Sequence, residues 1–88
     1  MVWELKTEEK FKLLISRMPV FHRRITESVV IQQAQNNALL RKSSQVEEQD
    51  VVAAFFSDVP SPFYSMMIRL LDQSGFDYKK YGFPKVKS

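Results

Sequence analysis

The sequence predicts an all-α domain of four helices with a long second helix at its centre. Three observations carry this. The chain has 2 glycines in 88 residues, too few for the tight turns of an all-β protein. Apolar residues recur at three- and four-residue intervals instead of alternating. Prolines stand at two corners, "RMPVF" and "SDVPSPF", where they stop one helix and open the next.

The first helix is expected from Thr7 to about Arg17. Thr7 serves as its N-cap, and Glu8 and Glu9 suit the positive end of its dipole. Leu5, Phe11, Leu14 and Met18 form the buried stripe, with Ile15 beside it. Trp3 precedes this helix and folds back onto that stripe.

Pro19 then opens the second helix, which is expected to reach about Arg41. At about 100° per residue, Phe21, Ile25, Val29, Leu39 and Leu40 share one face. Ile31, Ala34 and Ala38 form a second apolar strip. A helix apolar on two strips is expected to be wrapped from several sides, with Phe21 and Ile25 out of water. The opposite, polar face carries Arg23, Thr26, Gln33, Asn37 and Arg41, with Val30 among them. Gln32 and Asn36 interrupt the first strip. Either it leaves the core midway or it is a polar contact surface.

Ser43 and Ser44 make a polar loop, and Val46 tucks under it. The third helix is expected from Glu47 to Ser57, acidic in its first turn, with Val51 and Phe55 one turn apart. Ser61 as N-cap and Pro62 at the first helical position open a fourth helix that ends at Ser74, before Gly75. Phe63, Met66, Met67, Leu70 and Leu71 make its stripe. Phe63 and the two methionines read first as core; the alternative is an adaptable exposed groove. The closing stretch "FDYKKYGFPKVKS" packs Phe76, Tyr78, Tyr81 and Phe83 back on the helices and then frays.

A single domain is expected over residues 1–88. No apolar run approaches the ~20 residues of a membrane span. The start "MVWELKTEEK" is charged where a signal peptide would be apolar. A cytoplasmic location and no membrane partner are therefore expected. There is no cysteine, hence no thiolate nucleophile, disulfide or iron–sulfur ligand. His22 is the only histidine, so no multi-histidine metal site exists. No Gly-rich phosphate loop and no G-x-S-x-G elbow occur. The carboxylates Glu47, Glu48 and Asp50 crowd one helix start, where they act first as capping groups. Neither catalysis nor a cofactor is expected.

Charge is unevenly spread along a chain of net +3. Arg17, Arg23, Arg24, Arg41 and Lys42 stand against Glu27 alone, whereas Glu47, Glu48, Asp50 and Asp58 make the next stretch acidic. Lys79, Lys80, Lys85 and Lys87 make the tail basic against Asp77. Such a field can steer partners or be satisfied internally, helix against helix. Arg23 and Arg24 lie three and four residues from Glu27 and can pair with it. Cations at a helix start oppose the dipole, which favours a partner-facing role. The candidate partner-binding set is Arg17, His22, Arg23, Arg24, Arg41 and Lys42. His22 is either a hydrogen-bonding group or a half-exposed residue without a role.

The segment "W…LLISRMPVFHRRITESVVIQQAQ…VEEQDVVAA" resembles the small C-terminal domain of the light-independent protochlorophyllide reductase B subunit. Trp3, Leu14, Pro19, Phe21, Arg23, Ala34, Val46 and Val51 carry the likeness, which covers residues 3–56. Residues 57–75 then form an extra helix and 76–88 an aromatic, basic tail. In the full reductase the iron–sulfur ligands and most of the pigment site lie in a large domain absent here. The resemblance therefore implies a docking role for a standalone copy, without the reaction. "VEEQDVVAA" is also similar, more loosely, to the V-x-x-x-D-V turn of histone-fold proteins, which implies dimerisation through the long helix and DNA contact.

The expected function is a non-catalytic protein-interaction module that docks on a partner protein through the second-helix corner and its basic face. The first alternative is a nucleic-acid binder using the same cations and the tail lysines. The second is an accessory to tetrapyrrole reduction, implied by the resemblance alone.

Overall fold

In the computed structural model, which describes residues 1–84, Pro19 is the N-cap of the longest helix and the fold is arranged around that rod. The strand β1 (Val2–Trp3) leads into α1 (Leu5–Ser16), and the Pro19 corner leads into α2 (Val20–Leu40). The strand β2 (Gln45–Val46) follows, then α3 (Glu48–Asp58), a 3₁₀ turn (Ser61–Phe63), α4 (Tyr64–Gln73) and a second 3₁₀ turn (Tyr78–Tyr81). The class is the expected one: all-α, four helices, the second one long.

The one sheet element among the described residues is a clip. The two strands pair in parallel, Val2 opposite Gln45 and Trp3 opposite Val46. The Glu4 N–H then donates to the Val46 carbonyl at 2.9 Å. Each strand is two residues long, too short for any alternation to announce it. The clip seats Val46 in the core and lays Trp3 over Phe11, ring centroids 5.2 Å apart. Both placements match the expectation.

α1 starts two residues before Thr7. Thr7 is not its N-cap but a buried residue within its first turn, donating its hydroxyl to the Glu4 carboxylate at 2.7 Å. Leu5 lies outside the core. Phe11, Leu14 and Met18 are buried as expected.

The rotation of α2 is the main correction. Phe21 and Ile25 are 90% and 71% exposed, and Val29, Leu39 and Leu40 are exposed as well. The buried residues are Val30, Ala34 and Ala38. Thus the strip expected inside faces out, and the face expected in water points at the protein. Arg23 and Arg41 explain it. They are 18 residues apart, five full turns, so both project from one side. Arg23 donates to the Met18 and Ser16 carbonyls, each at 2.8 Å. These carbonyls at and beyond the end of α1 have no helical partner of their own. Arg41 holds Asp50 of α3, and Asn37 donates to the Asp50 carbonyl at 3.0 Å. With that side anchored, Phe21 is turned roughly 160° away. The small Ala34 and Ala38 let α3 lie close along α2, which is the most extensive helix pairing in the fold.

α3 begins with a reciprocal cap. The Glu47 side chain accepts from the backbone of Asp50, and the Asp50 side chain accepts the Glu47 N–H at 2.9 Å. Ser61 does not cap a helix. Pro60 and Pro62 set a 3₁₀ turn first, and α4 begins at Tyr64. Met67, Leu70 and Leu71 are buried there, whereas Phe63 and Met66 are 53% and 38% exposed, so the core reading of those two fails. Gly75 ends the region with φ +84°, a left-handed value that suits glycine. Phe76 and Tyr78 pack inward, and Phe83 stacks on Phe56 with centroids 4.9 Å apart. The expected frayed end, with Lys85 and Lys87, lies outside the described residues. No single helix among the described residues is long and apolar enough to cross a membrane.

Candidate functional site

The turned-out strip of α2 does not stand alone. The N-terminal half of α2 and the start of α4 diverge from a shared floor and leave a groove of about 280 Å³ between them. Ile25 and Val29 make one wall, Phe63 and Met66 the other, and Leu14 and Met67 the floor. Each arises from its element. The Arg23 anchor sets the α2 wall. The prolines around Ser61 tilt Phe63 to the surface at the entry to α4, one turn ahead of Met66. Phe21, beside the Pro19 corner, is exposed and outside the groove lining.

Few polar groups enter this apolar trough. His22, Thr26 and Asp58 line it. Chemically the site can receive apolar side chains and offer a hydrogen bond or two at its edge. Among the described residues, no group of three or more His, Cys, Asp or Glu side chains is placed to hold a metal ion.

The six candidate cations and histidine divide into two groups. Arg23 is half-buried and spent on the end of α1. Arg41 is spent on Asp50, with Glu47 also 3.7 Å from its guanidinium. Arg17, Arg24 and Lys42 are exposed and make no ion pair among the described residues. Neither Arg23 nor Arg24 pairs with Glu27, which is itself exposed and makes no ion pair among the described residues. His22 lies in the groove wall. The structure therefore brings His22 to the apolar site, leaves Arg17 and Arg24 outside its lining, and leaves Lys42 past the far end of the helix. Gln32 and Asn36 are both exposed between the two apolar ends of α2, at 3.4 Å from one another.

A second polar cleft collects Glu4, Lys10, Glu48, Asp77, Lys80 and Tyr81. Its groups are engaged with each other. Lys10 pairs with Glu48, and the Asp77 N–H donates to Glu48 at 3.0 Å. Burial alone would raise the Glu48 pKa; the Lys10 ammonium, the Asp77 N–H and the Tyr81 hydroxyl outweigh it and hold the carboxyl below its ordinary range. Burial and the Glu48 charge push the Tyr81 phenol up. This cluster fastens the closing segment to α1 and α3.

Phe21, Ile25, Phe63 and Met66, expected inside, stand exposed instead. The repeat that places Arg23 and Arg41 on one side was the available signal. Compared with family models, curated proteins and solved structures, the chain finds no match in any of the three.

Proposed function

We propose that this chain is a non-catalytic protein-interaction module that docks on a partner protein through the groove between α2 and α4. The observation that carries this is the outward strip at the helix corner, where Phe21 and Ile25 stand in water although the helix has an inner face of its own. Val29, Phe63 and Met66 are exposed as well, and exposed apolar side chains in number mark interaction sites. Their exposure contributes nothing to folding, and a partner that covers them gains it. The protochlorophyllide reductase resemblance, which implies docking without chemistry, agrees with this reading. Duplex DNA suits the surface less well: two of the candidate cations are engaged inside the fold, and the most exposed residues of the face are apolar.

The test is a photoreactive benzophenone amino acid at position 21, introduced in the cells that make the protein. A discrete, sequenced protein crosslinked from position 21, and absent when the probe replaces exposed Glu9 on α1, is the expected result. The same products from both positions, or none from position 21, would remove the docking reading.

A further inference from the structure

We infer that the partner segment seated in the groove is apolar and carries one arginine or lysine that pairs with Asp58. This rests on the docking reading above and names the partner's chemistry.

Asp58 is the one carboxylate in the lining, and no lysine or arginine is among the lining residues. It closes α3, whose other acids are engaged. Glu48 pairs with Lys10, Asp50 with Arg41, and the capping Glu47 lies 3.7 Å from the Arg41 guanidinium. Asp58 makes no ion pair among the described residues, and accepts only from the Ser57 hydroxyl at 3.5 Å. A carboxylate on the last residue of a helix meets the negative end of the dipole. α3 has no basic residue in its last turn to offset this.

The turn that follows offers little help. Pro60 and Pro62 have no N–H. The Val59 N–H is used on the Phe55 carbonyl at 3.1 Å, and the Phe63 N–H on the Pro60 carbonyl at 2.9 Å. Among the described residues nothing donates to the Ser57 or Asp58 carbonyl. Val59 and Pro60 also line the groove, so this end of α3, rich in acceptors, opens onto an apolar trough.

In the free chain water meets these acceptors, since Asp58 is exposed. An apolar segment laid between Ile25 and Val29 on one wall and Phe63 and Met66 on the other displaces that water. A carboxylate covered without a partner carries the full cost of its desolvation. The occupant must therefore bring a donor, and a cation is the strongest. A guanidinium has five N–H groups in a fork that matches a carboxylate, against three on an ammonium. Arginine is thus favoured over lysine. The aliphatic stem of either lies along apolar surface while its head stays at the edge. At about 280 Å³ the groove falls just below the range of small-molecule sites, a size that suits a few side chains. Arg17, Arg24 and Arg69 are exposed outside the lining. They disfavour a densely basic segment, which leaves one cation among apolar residues.

A displayed library of random peptides, selected on the whole protein, tests this. Selected sequences are expected to combine apolar residues with one arginine, or less often lysine. Their binding is followed by fluorescence anisotropy. It is expected to weaken about tenfold in Asp58→Asn, which removes a charge-assisted bond. It should not change in Asp72→Asn, an exposed acid on α4 outside the lining. It should be lost when both walls are made polar in Ile25→Gln/Phe63→Gln. Selection on Asp58→Arg is expected to return glutamate or aspartate in place of the cation. All four positions are exposed, so unchanged melting temperatures verify that the variants fold. Apolar peptides without a cation that the wall variant still blocks would overturn the inference and leave the docking reading standing. So would equal losses from Asp58→Asn and Asp72→Asn, or a wild-type dimer in sedimentation that the wall variant splits and Asp58→Asn does not. Binders indifferent to the wall variant, or no binders at all, would overturn both.

Discussion

The Arg41 guanidinium grips the Asp50 carboxylate through two hydrogen bonds, Nε to Oδ1 at 2.8 Å and Nη2 to Oδ2 at 2.6 Å. Asp50 is 1% exposed, and its Oδ2 also accepts the Glu47 N–H. The hydrogen bond to Asp50 raises the Arg41 pKa above its ordinary value. One side chain thus links the end of α2 to the cap of α3. Arg41→Ala leaves a buried charge with a backbone donor and little else, and is expected to cost about 3 kcal/mol in urea unfolding. Arg41→Lys recovers part of that loss, because an ammonium cannot reproduce the planar fork. A cost for Arg41→Ala under about 0.5 kcal/mol, the range of ordinary surface changes, would show that Asp50 does not depend on this pair.

Arg23 and Arg24 adjoin in sequence and should respond oppositely to substitution. Arg23→Ala removes two charge-assisted bonds to the carbonyls of Ser16 and Met18. A loss of about 1–3 kcal/mol is expected, with faster hydrogen exchange in the last turn of α1. Arg24→Ala should stay within about 0.5 kcal/mol of wild type. Equal effects on stability would mean that the α1–α2 corner does not hang on Arg23.

Lys42 holds a left-handed backbone, φ +61°. It lies just past the end of α2, where the Ser43 N–H closes back on the Ala38 carbonyl at 2.9 Å. Glycine is the usual residue there because its missing Cβ removes a clash of about 1–2 kcal/mol. Part of the gain is offset by the freedom glycine adds to the unfolded chain. Lys42→Gly is expected to stabilise by about 0.5–1 kcal/mol, which is a rise of roughly 2–8 °C in calorimetry for a domain this size. Lys42→Ala keeps the Cβ and should give no rise. If alanine and glycine raise the melting temperature equally, removal of charge and not backbone relief is the cause.

The helices were legible because prolines and apolar spacing act locally. Pro19 and Gly75 mark boundaries through their own backbone geometry, whatever surrounds them. The rotation of α2 is not local. Arg23, Asn37 and Arg41 look solvent-facing to any periodicity argument, since they are polar and share a side. They face inward because α1 ends in carbonyls without partners and α3 begins with a buried aspartate, and both lie elsewhere in the chain. Hydrophobicity alone then assigned Phe21 and Ile25 to the core. The candidate site was half legible for the same reason. The corner, His22 and the cations were named, while the apolar groove that organises them depends on which way the helix turns.

Glu48 supplies the pH dependence, and its sign follows from its partners. Lys10, the Asp77 N–H and Tyr81 hold its folded pKa below the unfolded value, which is about 4.3 for glutamate. The folded state therefore favours the charged carboxylate. Its contribution is complete above about pH 5 and is lost as pH falls through the depressed folded value. Tyr81 runs the other way. Burial and the Glu48 charge raise its pKa, so the folded state favours the neutral phenol. That contribution is whole below about pH 10 and is lost as pH climbs above it. Glu48→Gln keeps an acceptor for Asp77 but removes the charge. It should lower stability at neutral pH, flatten the acid limb of urea midpoints, and let Tyr81 titrate closer to its ordinary range by ultraviolet absorbance. Because the Glu48 charge acts on the Tyr81 phenol, both limbs must move together in this one variant. An acid limb that flattens while the tyrosine titration stays put would separate Glu48 from Tyr81 and leave the Asp77 N–H as the bond that ties α3 to the closing segment.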